Sequence, residues 1–148
     1  MHAFEPSGTV RTFRSGGGEV TLWFPGGELV AGRVEGHVRG GLAIAAFREI
    51  DRHTASHPFP GRGFIDFSAM TAFEWDARMT LLRWNLAHRR QAQRLDLLSE
   101  TWLAHMALRA LGTILGDRLV SHENRVTFEA AYASALGRHA GVSGSIAS

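Results

Sequence analysis

The sequence predicts an α/β domain built on a small mixed sheet, with antiparallel hairpin strands at its N-terminal side and about four helices. Three observations predict it. Gly- and Pro-punctuated β-prone runs crowd the first third of the chain. From Gly40 the apolar period changes to helical spacing. Thereafter helical and strand-like segments alternate through short connections, which argues for parallel strands joined by right-handed crossovers.

The elements follow in order. Val10 to Arg14 and Val20 to Phe24 are strands separated by Gly16 to Gly18, and Pro25-Gly26-Gly27 supplies turn chemistry before a third strand at Leu29 to Glu35. Ala43, Ala46, Phe47, Ile50 and Thr54 then mark a helix with one buried face, which Pro58 and Pro60 forbid from continuing. Gly63 to Phe67 is a short apolar run suited to the middle of a covered sheet. A helix is expected from Asp76 to about Gln91, with Met79, Leu82 and Leu86 in one apolar line extended by Leu81 and Trp84.

Arg94 to Leu98 is strand-like again. The next helix, roughly Thr101 to Leu115, aligns Leu103, Ala107, Ala110, Leu111 and Ile114, and Gly116 stops it. Arg118 to Ser121 is the last strand. Asn124 then caps a final helix through Phe128, Ala131, Tyr132 and Ala135, which Gly137 ends. Residues 1–8 and 140–148 read as flexible ends around a single domain at 9–139.

Composition bounds the function. The 148 residues, 45% apolar, are enough for one domain with its own core. Without cysteine there is no disulfide framework, thiolate metal site or cysteine nucleophile, which fits a reducing, cytoplasmic setting. No run approaches the roughly 18 apolar residues of a membrane span. All 16 basic residues are arginine, so the pI of 10.3 reflects arginine's basicity; the formal net charge is only +2 and gives no case for nucleic acid. Arg83, Arg89, Arg90 and Arg94 read as a solvated helix end.

The chemistry-bearing residues form no catalytic or cofactor signature. His53 and His57 have the spacing of two metal ligands on a helix, but Pro58 follows at once; no metal is expected. His37, His88, His105, His122 and His139 have no partner in sequence that marks a triad. Gly16-Gly17-Gly18 lacks the Lys-Ser/Thr of a phosphate loop, and no serine sits in a Gly-x-Ser-x-Gly elbow. An enzyme would have to bring Asp66, Asp76 and nearby histidines into one cleft.

Arg33-Val34-Glu35-Gly36, closing a strand ahead of the first helix, and Asp66-Phe67-Ser68-Ala69-Met70-Thr71 carry a family likeness that covers about Leu29 to Ala135. They resemble the STAS domain, named for sulfate transporters and anti-sigma factor antagonists, whose pattern includes an Asp-Leu-Ser-x-Val-x segment. The resemblance implies helices on a small mixed sheet and a non-enzymatic binding module of bacterial regulatory pathways. It implies another protein as partner, a kinase or other regulator.

Switchable antagonists carry an Asp-Ser-Ser-Gly-like motif whose second serine is phosphorylated; here the segment is Glu74-Trp75-Asp76-Ala77. Asp76 stands at the acceptor position, and serine phosphorylation does not carry over. Its carboxylate suits a helix N-terminus, as a plain cap or as a fixed charge on a partner surface. Asp66, Ser68, Glu74, Trp75, Asp76 and Arg78 are therefore the expected partner-binding residues, with no cofactor. An uncovered edge among the early strands offers a route to a homodimer. The alternative is a small-molecule or lipid-binding domain with an apolar pocket between helices and sheet.

Overall fold

The computed structural model describes residues 3–147, with side chains as far as Arg138. Six strands form one sheet in sequential order: β1 (Thr9–Ser15), β2 (Gly18–Gly26), β3 (Leu29–Val38), β4 (Arg62–Phe73), β5 (Arg94–Leu98) and β6 (Leu119–His122). The first three are antiparallel, and β3 to β6 are parallel. The expected mixed α/β sheet with N-terminal hairpins and four helices is what forms. Gly16 and Gly17, both at positive φ, make the two-residue turn that joins Ser15 to Gly18. Gly36 is required for a second reason: a Cβ there would lie 2.2 Å from the Gly17 carbonyl oxygen.

Helices α1 (Gly40–Thr54), α2 (Trp75–Ala87) and α3 (Trp102–Leu115) cover one face of the sheet. Leu42, Ala46, Leu81, Ala107 and Leu111 meet Leu22, Val34, Phe67 and Leu97 there in one apolar core. α4 (Arg125–Ala147) covers the other face, placing Phe128, Tyr132 and Ala135 on Trp23, Ala31, Phe64 and Leu98. The buried Trp23 indole N–H donates to the Tyr132 hydroxyl at 2.9 Å, so this core is satisfied where it is polar.

Several boundaries and faces differ from the sequence reading. Phe4, assigned to a flexible N-terminus, is 1% exposed and packs against Trp23, Phe128 and Tyr132. Its N–H donates to Glu129, and its carbonyl accepts from Arg33. An aromatic near a chain end has no periodic neighbours in sequence, so nothing local marks it as core. β4 runs on to Phe73 because β3 stays paired with it as far as Val38, through two register shifts.

α2 turns Ala77, Leu81 and Asn85 inward, leaving Leu86 half exposed and the expected Met79–Leu82–Leu86 line on its outer side. Apolar residues occur on more than one side of this helix, so spacing did not choose; the Asn85 amide is tolerated inside because it donates to the Leu81 carbonyl. The helix stops at Ala87, where the His88 ring and backbone N–H both turn onto the Trp84 carbonyl. The backbone of α4 continues past Gly137 to Ala147, while the side chains of the expected tail at 140–148, and that of His139, lie outside the described residues.

Thr101 caps α3 by accepting the Ala104 N–H, and Asn124 caps α4 by accepting that of Thr127, as expected for the latter. Among the described residues, no helix is long and apolar enough to cross a membrane.

Candidate functional site

The first turns of α1 and α2 converge at the end of the sheet to which β3 and β4 deliver the chain. Neither Arg39 nor Glu74, the cap residues of these helices, uses its side chain as a cap. Asp76, the second residue of α2, serves both. Its Oδ1 accepts the Gly40 N–H of α1 at 3.0 Å and the Ala77 N–H of its own helix at 2.8 Å. A carboxylate there meets the positive ends of two helix dipoles. A Cβ at Gly40 would lie 2.5 Å from Asp76 Oδ2, so glycine is what lets the two turns approach.

Beside this junction Glu74 pairs with His37 at 2.6 Å. Trp75 is 66% exposed, and the Arg78 guanidinium lies 5.4 Å from the centre of its ring. A groove of about 310 Å³ opens between the helices, lined by Gly40, Gly41, Ile44, Trp75, Met79 and Arg83 together with Asp76 and Thr80. Tryptophan held outward over a groove by a stacked arginine is an arrangement suited to contact with another molecule.

Asp66 and Ser68 lie elsewhere. Asp66 is a mid-strand residue of β4, and its partners are on β4 itself, α4 and β3. It accepts from the Ser68 N–H at 2.8 Å, from the Ser68 hydroxyl at 2.5 Å and from Arg125 at 3.0 Å, with Arg33 at 4.0 Å. Burial acts against the Arg125 charge, but its hydrogen bond to Asp66 and the neighbouring carboxylates of Asp66, Glu100 and Glu129 raise its pKa further. Thus the expected residues divide. Glu74, Trp75, Asp76 and Arg78 share one surface, while Asp66 and Ser68 anchor α4 on the opposite face. Asp66 and Asp76 do not meet in one cleft.

A second buried carboxylate, Asp96, went unnoticed in the sequence. It is fully buried on β5 and receives two Arg94 hydrogen bonds at 2.9 and 3.3 Å, with His122 at 2.7 Å and Arg62 at 3.7 Å. His122 Nδ1 lies 3.1 Å from the Thr127 hydroxyl. The signal available was Arg94 and Asp96 alternating on a strand otherwise apolar, a pattern that puts both charges on one face. Arg94 therefore leaves the basic cluster expected at the end of α2, where Arg89 and Arg90 remain exposed.

His53 and His57 stack face to face with ring centres 4.1 Å apart, and Phe24 stacks on His53 at 3.8 Å. Among the described residues no group of three potential ligands forms around them. Beneath α1 and α2 lie two apolar cavities of about 70 Å³ each, both bordered by Leu22, Gly32 and Ile65. One continues to Phe47, Phe67 and Leu81, the other to Ile50, Phe59 and Trp84.

The architecture has a solved counterpart. The crystal structure of an uncharacterised DUF3478-family protein from Shewanella loihica, described as having a SpoIIAA-like fold, superposes with a TM-score of 0.54 at 13% identity, covering 80% of this chain and 88% of that one. No family model matches the sequence, and no curated protein does. The chain thus has the SpoIIAA-like fold that the STAS resemblance led us to expect.

Proposed function

We propose that this chain is a non-enzymatic regulatory module of a bacterial signalling pathway, acting in the cytoplasm by binding another protein through the first turns of α1 and α2. The observation that carries the reading is Trp75, two-thirds exposed and braced by Arg78 at the rim of a groove. An ordered, exposed tryptophan loses little entropy on binding, which is why such residues dominate interface energies.

In this reading Asp76 is a constant negative charge where switchable antagonists carry a serine. Its carboxylate supports both helix starts, so the surface is held in one state and needs no phosphate. Glu74 and Arg78 frame the contact. Asp66 and Ser68, bonded to Arg125, serve it indirectly by fixing α4.

The test is capture from native lysate with wild type and Trp75→Ala side by side, followed by reconstitution with the purified captured protein. Trp75 is exposed, so its removal leaves the fold intact, which circular dichroism checks. A protein held by wild type and released by the variant supports the reading, whereas equal capture by both removes this surface from it.

The paired cavities favour a second reading, binding of a small apolar molecule between the helices and the sheet. Native mass spectrometry of the purified chain decides it: an apolar adduct that copurifies supports the idea, and a bare protein mass after exposure to fatty acids sinks it.

A further inference from the structure

The groove between α1 and α2 has a charge imbalance that identifies the kind of molecule it fits. Each acidic group on this side already has a partner within the chain. Glu74 is held by His37, Asp51 by His88, Glu49 by Arg11 and Arg52, and Asp76 by two backbone N–H groups. Arg39, Arg48, Arg78 and Arg83 are different: among the described residues, none of them ion-pairs with a carboxylate. Arg78 also buries an Nε–H that has no hydrogen-bond acceptor.

These guanidiniums flank apolar surface. Arg39 lies beside Trp75 at the mouth, Arg83 lines the wall with Met79, and Arg48 follows the exposed Ile44 by one helical turn on α1. The floor is Gly40 and Gly41, and a Cβ added at Gly41 would meet nothing within 4 Å. The groove therefore joins apolar surface from Ile44, Met79 and Trp75 to the polar groups of Asp76 and Thr80, and carries arginines without a carboxylate partner along its wall and mouth.

We propose that the occupant is an acidic, amphipathic segment of a partner protein, its apolar side chain seated between Ile44, Met79 and Trp75 and its carboxylates on Arg39, Arg48 and Arg83. The proposal rests on the protein-binding reading above and adds the partner's chemistry. Guanidinium forks match carboxylates in geometry as well as charge. A peptide fits better than an anionic bilayer because the surface is concave and of mixed charge: hydrogen bonding leaves Glu74 and Asp76 anionic, so a peptide can set carboxylates on the arginines and neutral or basic groups beside these acids, which a uniformly negative plane cannot do.

Selection of random displayed peptides on the full chain, with counter-selection on Trp75→Ala, tests this. Selected peptides are then titrated against wild type and Arg83→Glu, and vesicles of phosphatidylglycerol and phosphatidylcholine are run in parallel. The expected result is Trp75-dependent peptides rich in Asp and Glu around Leu, Ile or Phe. They should weaken as salt rises and lose about tenfold or more in affinity on Arg83→Glu. Trp75-dependent peptides without acidic bias would overturn the chemistry assigned here and leave the protein-binding surface standing. No Trp75-dependent peptide at all would overturn both. Sedimentation with anionic vesicles through Trp75 and Arg83 would make the occupant a membrane and also overturn the proposal.

Discussion

The Asp76 carboxylate on α2 accepts the backbone N–H of Gly40 on α1 at 3.0 Å, so one side chain closes the first turn of a neighbouring helix as well as its own. The contact requires residue 40 to lack a side chain, because a Cβ would stand 2.5 Å from Asp76 Oδ2. Gly40→Ala is expected to lower stability by about 1–2 kcal/mol, the cost of a displaced cap. Asp76→Ala should cost a similar amount. Because the two changes disrupt one contact, their costs should not add. Urea unfolding of the two single variants and the double variant measures this, and strict additivity would show that the contact is not shared.

Phe4 stands within 5 Å, ring centre to ring centre, of Trp23, Phe128 and Tyr132, and closes the core beneath α4. Phe4→Ala is expected to destabilise by about 3 kcal/mol, at the lower end of the range for buried aromatics, since a chain end can partly collapse into the space. Phe4→Leu should recover much of the loss. An unchanged urea midpoint for Phe4→Ala would mean that the N-terminal segment contributes nothing to the fold.

What the sequence revealed and what it hid have separate physical causes. Element order was legible because Gly16-Gly17, Gly26-Gly27, Pro58 and Gly116 punctuate the chain, and the apolar period changes between them. The start of α2 was legible because an Asp suits a helix N-terminus, and Trp75 and Asp76 are its first two residues. The inward face of α2 was hidden because Leu81 and Leu82 are equally apolar. The charged clusters were hidden for another reason: Asp66 meets Arg125 across 59 positions, and Asp96 meets His122 across 26. Only the crossover topology brings such groups together, and local pattern carries no trace of it.

The His53 ring lies between Phe24 and His57, and its pKa is lowered from the ordinary 6.5, first by burial and then by the His57 charge, against a smaller opposing effect of Glu49. The sign follows from proton counting. As pH falls through about 6.5 the unfolded chain takes up a proton at this position before the folded chain does, so stability contributed by neutral His53 is present above that pH and declines below it. The decline ends once the folded-state pKa has been passed. His53→Phe, which keeps an aromatic ring on Phe24, should flatten this part of the profile. Urea midpoints measured from pH 8 to pH 5 on both proteins check it, and parallel profiles would show that His53 does not couple to folding.

Asp96 poses a sharper question, because it is fully buried with Arg94, His122 and Arg62 directed onto it. Taking a carboxylate out of water is costly, and such a cluster repays the cost only while every partner is in place. Burial also lowers the Arg62 pKa, ahead of the opposing pull of Asp96, so removing Asp96 takes away the group that supports that cation. Asp96→Ala should therefore destabilise by about 3–5 kcal/mol, while Asp96→Asn, which keeps the shape and an acceptor but drops the charge, should cost distinctly less. His122→Gln offers an independent probe, since it retains a donor toward Asp96 and lacks a ring to titrate. If Asp96→Ala were as stable as wild type with its core unchanged by NMR, the cluster would be incidental to the fold.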